Sequence, residues 1–140
     1  MRRPAARDGQ RGQALVETGI VIVLFVLLGM GIIEFGRAFM ITNMITHATR
    51  DGARIAATWP TASRTSGAIS SGDQTTIANQ VKTEMQSAGI TGLTVTVSQP
   101  TVSGIPMAQV QVSGTISYLF NLVASSFPVS RTVSFRDEGR

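Results

Sequence analysis

Residues 18–33 read TGIVIVLFVLLGMGII, sixteen positions without a charge, and widening the window to 14–33 admits only Glu17. At a helical rise of about 1.5 Å per residue, the twenty residues from Ala14 to Ile33 span about 30 Å, the thickness of a hydrocarbon core. A buried helix of a soluble protein is the alternative reading. In a chain of 140 residues, however, that helix would lack a partner large enough to cover it. The stretch therefore predicts a single membrane helix with a short basic end before it and a longer polar region after it.

The charge distribution orients that helix. The chain carries a formal net charge of +4, but Arg2, Arg3, Arg7 and Arg11 against Asp8 place three of those units in residues 1–12. Only Arg37 and Arg50 follow within about twenty residues of the apolar run, so the positive-inside bias predicts a cytoplasmic N-terminus and an exported C-terminal region. With the remaining arginines scattered and a single lysine, Lys82, no basic patch suggests nucleic acid as a partner. The composition is 43% hydrophobic and 14% charged, against roughly a quarter charged in an average soluble domain. Zero cysteines exclude a disulfide framework, a thiolate metal site and a cysteine nucleophile.

Beyond Ile33 the helical pattern persists. Ala38, Ile41, Ile45, Ala48, Gly52 and Ile55 recur at spacings of three and four, with Asn43, His47, Arg50 and Arg54 on the opposite side. Trp59-Pro60 should end the helix, which predicts one rod from about 13 to 58. Residues 60–72, PTASRTSGAISSG, read as a flexible loop with one charge, Arg64. Asp73 is a suitable N-cap, Ile77, Val81, Met85 and Ala88 follow at helical spacing, and Gly89 suits a left-handed stop, giving a second helix near 74–88.

The period then changes to two. Leu93, Val95 and Val97 alternate with Thr94, Thr96 and Ser98. Ala108, Val110 and Val112 alternate with Gln109, Gln111 and Ser113. In a third strand Val129, Val133 and Phe135 share a face with Arg131. Pro100 and Pro106 bracket the first turn, Leu119 to Ala124 read as a short helix or loop, and Asp137-Glu138 read as a solvated tail. The fold class is α+β: a long transmembrane-plus-amphipathic helix, a short second helix and a small antiparallel sheet. The expected organisation is a basic leader at 1–12, a transmembrane helix at 13–33, an amphipathic helix at 34–58, a flexible loop at 59–72 and a small α+β region at 73–140. A body of about 64 residues without disulfide or metal is marginal alone, so the stripe of the first helix is its natural support.

At the border of the apolar run stands Arg11-Gly12-Gln13-Ala14-Leu15-Val16-Glu17-Thr18. A carboxylate within lipid costs energy and is a functional candidate by default, though the cost falls near the membrane edge, where Glu17 lies. Taken singly, Glu17 can snorkel to the headgroups and Gly12 can be one more flexible residue. Their spacing, with the topology, resembles a prepilin processing site, in which a membrane aspartic peptidase cuts after the glycine and leaves the glutamate fifth in the mature chain. The stretch VETGIVIVLFVLLGMGIIEFGRAF followed by THATRDGARIAA resembles the TadE-like family of the tight-adherence (Tad or Flp) pilus system. Ile32-Ile33-Glu34-Phe35-Gly36 and Thr49-Arg50-Asp51-Gly52-Ala53-Arg54 carry that likeness.

The resemblance implies a pilin-like fold and a pseudopilin or minor pilin needed to assemble adhesive pili. It implies processing at Gly12 and Gln13, an assembly role for Glu17, and prepilin peptidase, other pilins and the lipid bilayer as partners. Thr18 stands where the major pilins of this system have an aromatic, and the chain is more than twice the length such helical pilins need. Both favour a minor component, and Gln13, in place of the Phe or Met common elsewhere, argues against a type II secretion pseudopilin.

Cutting the Gly12–Gln13 bond would create an α-amino group four residues from a carboxylate. Glu17 of one subunit could then neutralise the amine on Gln13 of another and set the register of assembly. Glu34 and Arg37, at i and i+3, read as a membrane-exit marker. Gly29, Gly31 and Gly36 permit close helix contact or are the ordinary glycine content of a membrane helix. His47 is the only histidine, and no nucleophile motif, phosphate loop or paired carboxylates appear, so neither an enzyme nor a cofactor or small-molecule substrate is expected. The rival readings are a secreted domain behind an ordinary signal peptide and an uncut, membrane-tethered adaptor. Against the first, Glu34-Phe35-Gly36-Arg37 occupies the place of a small-residue cleavage site.

Overall fold

A computed structural model describes residues 7–60, 62, 64–121 and 125–139. The expected α+β architecture is present. Helix α1 spans Arg7–Ala57 and helix α2 Ser71–Ser87. The strands are β1 (Arg64–Thr65), β2 (Ala68–Ile69), β3 (Leu93–Ser98), β4 (Thr101–Val102), β5 (Ile105–Ser117) and β6 (Ser126–Arg136). By contacts the chain divides into two units, residues 1–37 and 38–140.

The described residues of the first unit, 7–37, are helix alone. Leu15, Ile20, Phe25, Ile32 and Phe35 are all exposed. Among the described residues α1 is the one helix long and apolar enough to cross a membrane. It starts at Arg7, six residues before the expected Gln13, because residues added to an established helix gain a hydrogen bond without bearing the cost of nucleation. Arg2 and Arg3 of the basic leader lie outside the described residues.

In the second unit, β5 is the middle of an antiparallel sheet. β3 pairs along one side of it in the register Leu93↔Gly114 to Ser98↔Gln109. β4 continues that side through the tight turn at Ser103 and Gly104. β6 pairs along the other side, from Met107↔Arg136 to Ser117↔Ser126. Ala108, Val110, Val112 and Ile116 of β5 are buried beneath the helices, while Gln109, Gln111 and Ser113 face away. One face is therefore apolar and covered and the other is polar, as the period-two pattern requires.

The stripe of α1 supplies the cover. Ile41, Ile45 and Ala48 join Val81, Met85, Leu93, Val112 and Val129 in one cluster. Ala53, Ala56 and Ala57 join Ile69, Ile77, Val97 and Val110 in a second. Gly52 is required where the helices meet, since a Cβ there would lie 2.3 Å from Cγ2 of Val81. Buried Thr49 satisfies its hydroxyl within the helix, donating to the carbonyl of Ile45 at 2.6 Å.

Four local expectations are corrected. The N-cap of α2 is Ser70, not Asp73. The Ser70 hydroxyl accepts from the Asp73 amide at 3.1 Å and donates to the Asp73 carboxylate at 2.8 Å, a reciprocal cap that starts the helix at Ser71. The other end follows expectation. Gly89 has φ +78°, its N–H bonds the carbonyl of Gln86, and the N–H of Ile90 bonds that of Met85. This is the double bond of a Schellman stop, with Ile90 and Met85 both buried.

The stretch 59–72, expected as a flexible loop, contains the β1–β2 hairpin, turned at Ser66 (φ 53°) and Gly67 (φ 81°). Asp137, expected in a solvated tail, is buried against Arg64. The third strand begins at Ser126 and includes Pro128, which an edge strand tolerates where the missing N–H would point outward. Of the connection read as helix or loop, Ala124 lies outside the described residues, and Asn121 takes a left-handed turn conformation (φ 47°).

Candidate functional site

Gly12, Gln13 and Glu17 lie on consecutive turns near the start of α1, all exposed. Gly12 has nothing within 4 Å of where a Cβ would stand, so the helix itself imposes no requirement for glycine at that position. The Gly12–Gln13 peptide is helical rather than extended. Gln13 and Glu17, four residues apart, are neighbours on one helix face, where a carboxylate and an amine can meet. Among the described residues Glu17 has no ion-pair partner.

The structure brings Glu34 and Arg37 together. Arg37 Nη1 lies 3.9 Å from Glu34 Oε1, with the arginine a third exposed. At that distance and exposure the pair is worth a few tenths of a kcal/mol. The surface beside it is apolar and open, a shallow groove lined by Leu27, Leu28, Gly31, Ile32, Phe35 and Gly36. Gly31 and Gly36 thus stand among large exposed side chains, where another helix or lipid chains could fit closely.

Residues 12–54 match the TadE-like protein family. The TadE-like segment begins at Gly12, runs through the apolar stretch and ends in the Arg50–Arg54 turn of α1. It is less than a third of the chain and lies entirely within one helix. Neither a curated protein nor a solved structure matches the chain.

Outside the TadE-like segment, sequence reasoning missed one polar cluster. Arg64 donates to Asp137 from Nη1 at 2.5 Å and from Nη2 at 2.7 Å, and from Nε to the carbonyl of Trp59 at 3.2 Å. The side-chain amide of Gln99 donates to the same carboxylate at 2.7 Å. Both charged side chains are buried, at 3% and 4% exposure. The Arg64 guanidinium holds the Asp137 carboxyl below its ordinary range, against the opposing effect of burial. The sequence offered one signal: Arg64 is the only charge in a stretch rich in Ser, Thr, Gly and Ala. The separation of 73 positions between the partners hid the rest.

Proposed function

We propose that this chain is a membrane-anchored pseudopilin or minor pilin that serves assembly of a Tad (Flp) adhesive pilus. The observation that carries the reading is the coincidence of the TadE-like match over 12–54 with an exposed apolar helix wide enough to span a bilayer. The helix lies in the inner membrane with its N-terminus cytoplasmic and the region after residue 37 periplasmic or extracellular, in keeping with the arginines before it. Prepilin peptidase cuts after Gly12. Because a protease needs an extended peptide, the first turns of α1 must unwind, and Gly9 and Gly12 each lower that cost by about 1 kcal/mol relative to alanine. After the cut, Glu17 pairs with the amine on Gln13 of a neighbouring pilin, and that pairing sets the register between helices. The role is structural rather than catalytic.

Mass spectrometry of the N-terminus of the membrane-bound protein tests the processing step. A chain starting at Gln13 supports it, Met1 favours an uncut tether, and a start beyond residue 33 favours a secreted domain. Gly12→Leu is expected to accumulate the uncut, still inserted precursor, and efficient trimming of that variant would count against the assignment. Glu17→Ala is expected to be trimmed normally but poorly incorporated. An unchanged number of pili in cells carrying it would remove the charge-pairing role.

A further inference from the structure

Among the described residues β6 pairs with β5 alone, leaving its outer side an open edge of the sheet, and the direction of its backbone groups follows from that pairing. The N–H of Tyr118 bonds the carbonyl of Ser125, and the N–H of Asp137 bonds the carbonyl of Pro106. Between those two points the antiparallel ladder alternates. Phe127, Val129, Arg131, Val133 and Phe135 therefore direct their backbone groups at β5, and Pro128, Ser130, Thr132, Ser134 and Arg136 direct theirs outward. Pro128 agrees with this parity, since it has no N–H to give to β5. Among the described residues the carbonyl of Ser130 is engaged by the Arg131 guanidinium at 3.1 Å. Thr132, Ser134 and Arg136 offer exposed, outward-pointing main chain.

Beside the far end of this edge lies a cleft of about 490 Å³. The last turns of α1 bring Arg50, Asp51 and Arg54 to it, the end of β6 brings Phe135 and Arg136, and the segment after it brings Glu138. Three guanidinium groups there outnumber two carboxylates. Outside the cleft and four residues before Phe135 on the same edge strand, Arg131 is a further cation on the helix-covered face. Arg50, Arg54 and Phe135 are all exposed. A second copy of this chain would bring the same arginines against this strip, which disfavours edge-to-edge self-pairing.

We propose that the outer edge of β6, together with this basic cleft, docks an extended acidic segment of a partner polypeptide as an added strand. Main-chain hydrogen bonds to Thr132, Ser134 and Arg136 hold the segment. Its side chains alternate in direction, so every second one points toward the α1 flank, where carboxylates meet Arg50, Arg54 and Arg131. The inference does not depend on processing at Gly12, and a partner that binds here can be recognised whether or not the leader is removed.

The test uses the full chain in detergent micelles and, as probe, a twelve-residue peptide of alternating glutamate and threonine, with the lysine–threonine peptide as control. The glutamate peptide is expected to slow amide exchange at Thr132 and Ser134, and the lysine peptide to leave it unchanged. Reversing the cleft's charge with Arg50→Glu and Arg54→Glu together should weaken the glutamate peptide by at least about tenfold. Thr132→Pro removes one outward donor at the same parity as Pro128. It should keep the native melting transition and lose the exchange protection at the one remaining reporter, Ser134. The proposal is overturned if the glutamate peptide protects neither amide, if the lysine peptide does so equally, or if the arginine variants bind as the parent does. Should Thr132→Pro fail to fold, the arginine variants decide.

Discussion

Asp137 accepts hydrogen bonds from both Nη atoms of Arg64 and from the Gln99 amide, and with its neighbour it ties the end of the chain to the segment after α1. The N–H of Glu138 donates to the carbonyl of Ala57 at 3.1 Å, engaging a carbonyl at the C-terminal end of α1. Removing one member of a buried pair leaves an uncompensated charge, so Arg64→Ala is expected to cost about 3–5 kcal/mol in chemical denaturation. The pH dependence has a definite sign. The folded-state pKa of Asp137 lies below its ordinary 3.8, so its stabilisation is complete above that value and is lost as pH falls below it toward the lowered one. Melting temperatures followed through this acid window should fall more steeply for the native protein than for Asp137→Asn, which carries no titrating carboxyl. Parallel curves would show that the pair contributes nothing through its charge.

At the level of elements, the contact of α1 with α2 is set by a missing side chain. Gly52 faces Val81, whose Cγ2 occupies the space a Cβ would need and is itself buried. Gly52→Ala gains helix propensity of about 1 kcal/mol but forces the helices apart or Val81 out of place, at a cost of typically 1–3 kcal/mol. Net destabilisation is expected. Val81→Ala in the same chain should recover part of it, a coupling that a double-mutant cycle in urea would read. The spacing of three and four from Ala38 to Ile55 disclosed the buried stripe, and Ile41, Ile45, Ala48 and Gly52 are buried as that pattern implies. It did not disclose Ala53 and Ala56, which are buried too, because each falls one position after a stripe residue, off the three-and-four spacing, and the buried face widens there beyond a single stripe. The cap of α2 was misplaced by three residues for a related reason: Ser70 and Asp73 are both good caps, and geometry decides between them.

For the molecule as a whole, the boundary between units falls after Arg37 within α1, so the helix belongs to both. The outer half of α1 contributes Ile41, Ile45 and Ala48 to one core cluster and Ala53, Ala56 and Ala57 to the other. A fragment of residues 38–140 is therefore expected to unfold cooperatively in solution. A fragment of 59–140 is expected to be unfolded, since losing two buried isoleucines alone removes several kcal/mol from a net stability of about 5–15 kcal/mol. Circular dichroism melts of the two fragments decide the matter, and a cooperative transition in the shorter one would show that the sheet and α2 suffice. The exposed apolar surface of residues 15–35 carries the complementary expectation that the full chain needs detergent or lipid to remain monodisperse.

The sequence by itself determined the membrane-length helix, the placing of β3, β5 and β6 after both helices, the faces those three strands bury and the border motif at Gly12–Glu17. All of these rest on periodicity, charge or spacing within a few residues, which a linear reading resolves. Only the tertiary structure decided that Arg64 and Asp137 meet, that Gly52 faces Val81 with no room for a Cβ, and that β6 lies at an edge of the sheet near Arg50 and Arg54. Those facts depend on contacts between positions far apart in the chain, whose energies are realised only once the sheet and helices have closed on one another.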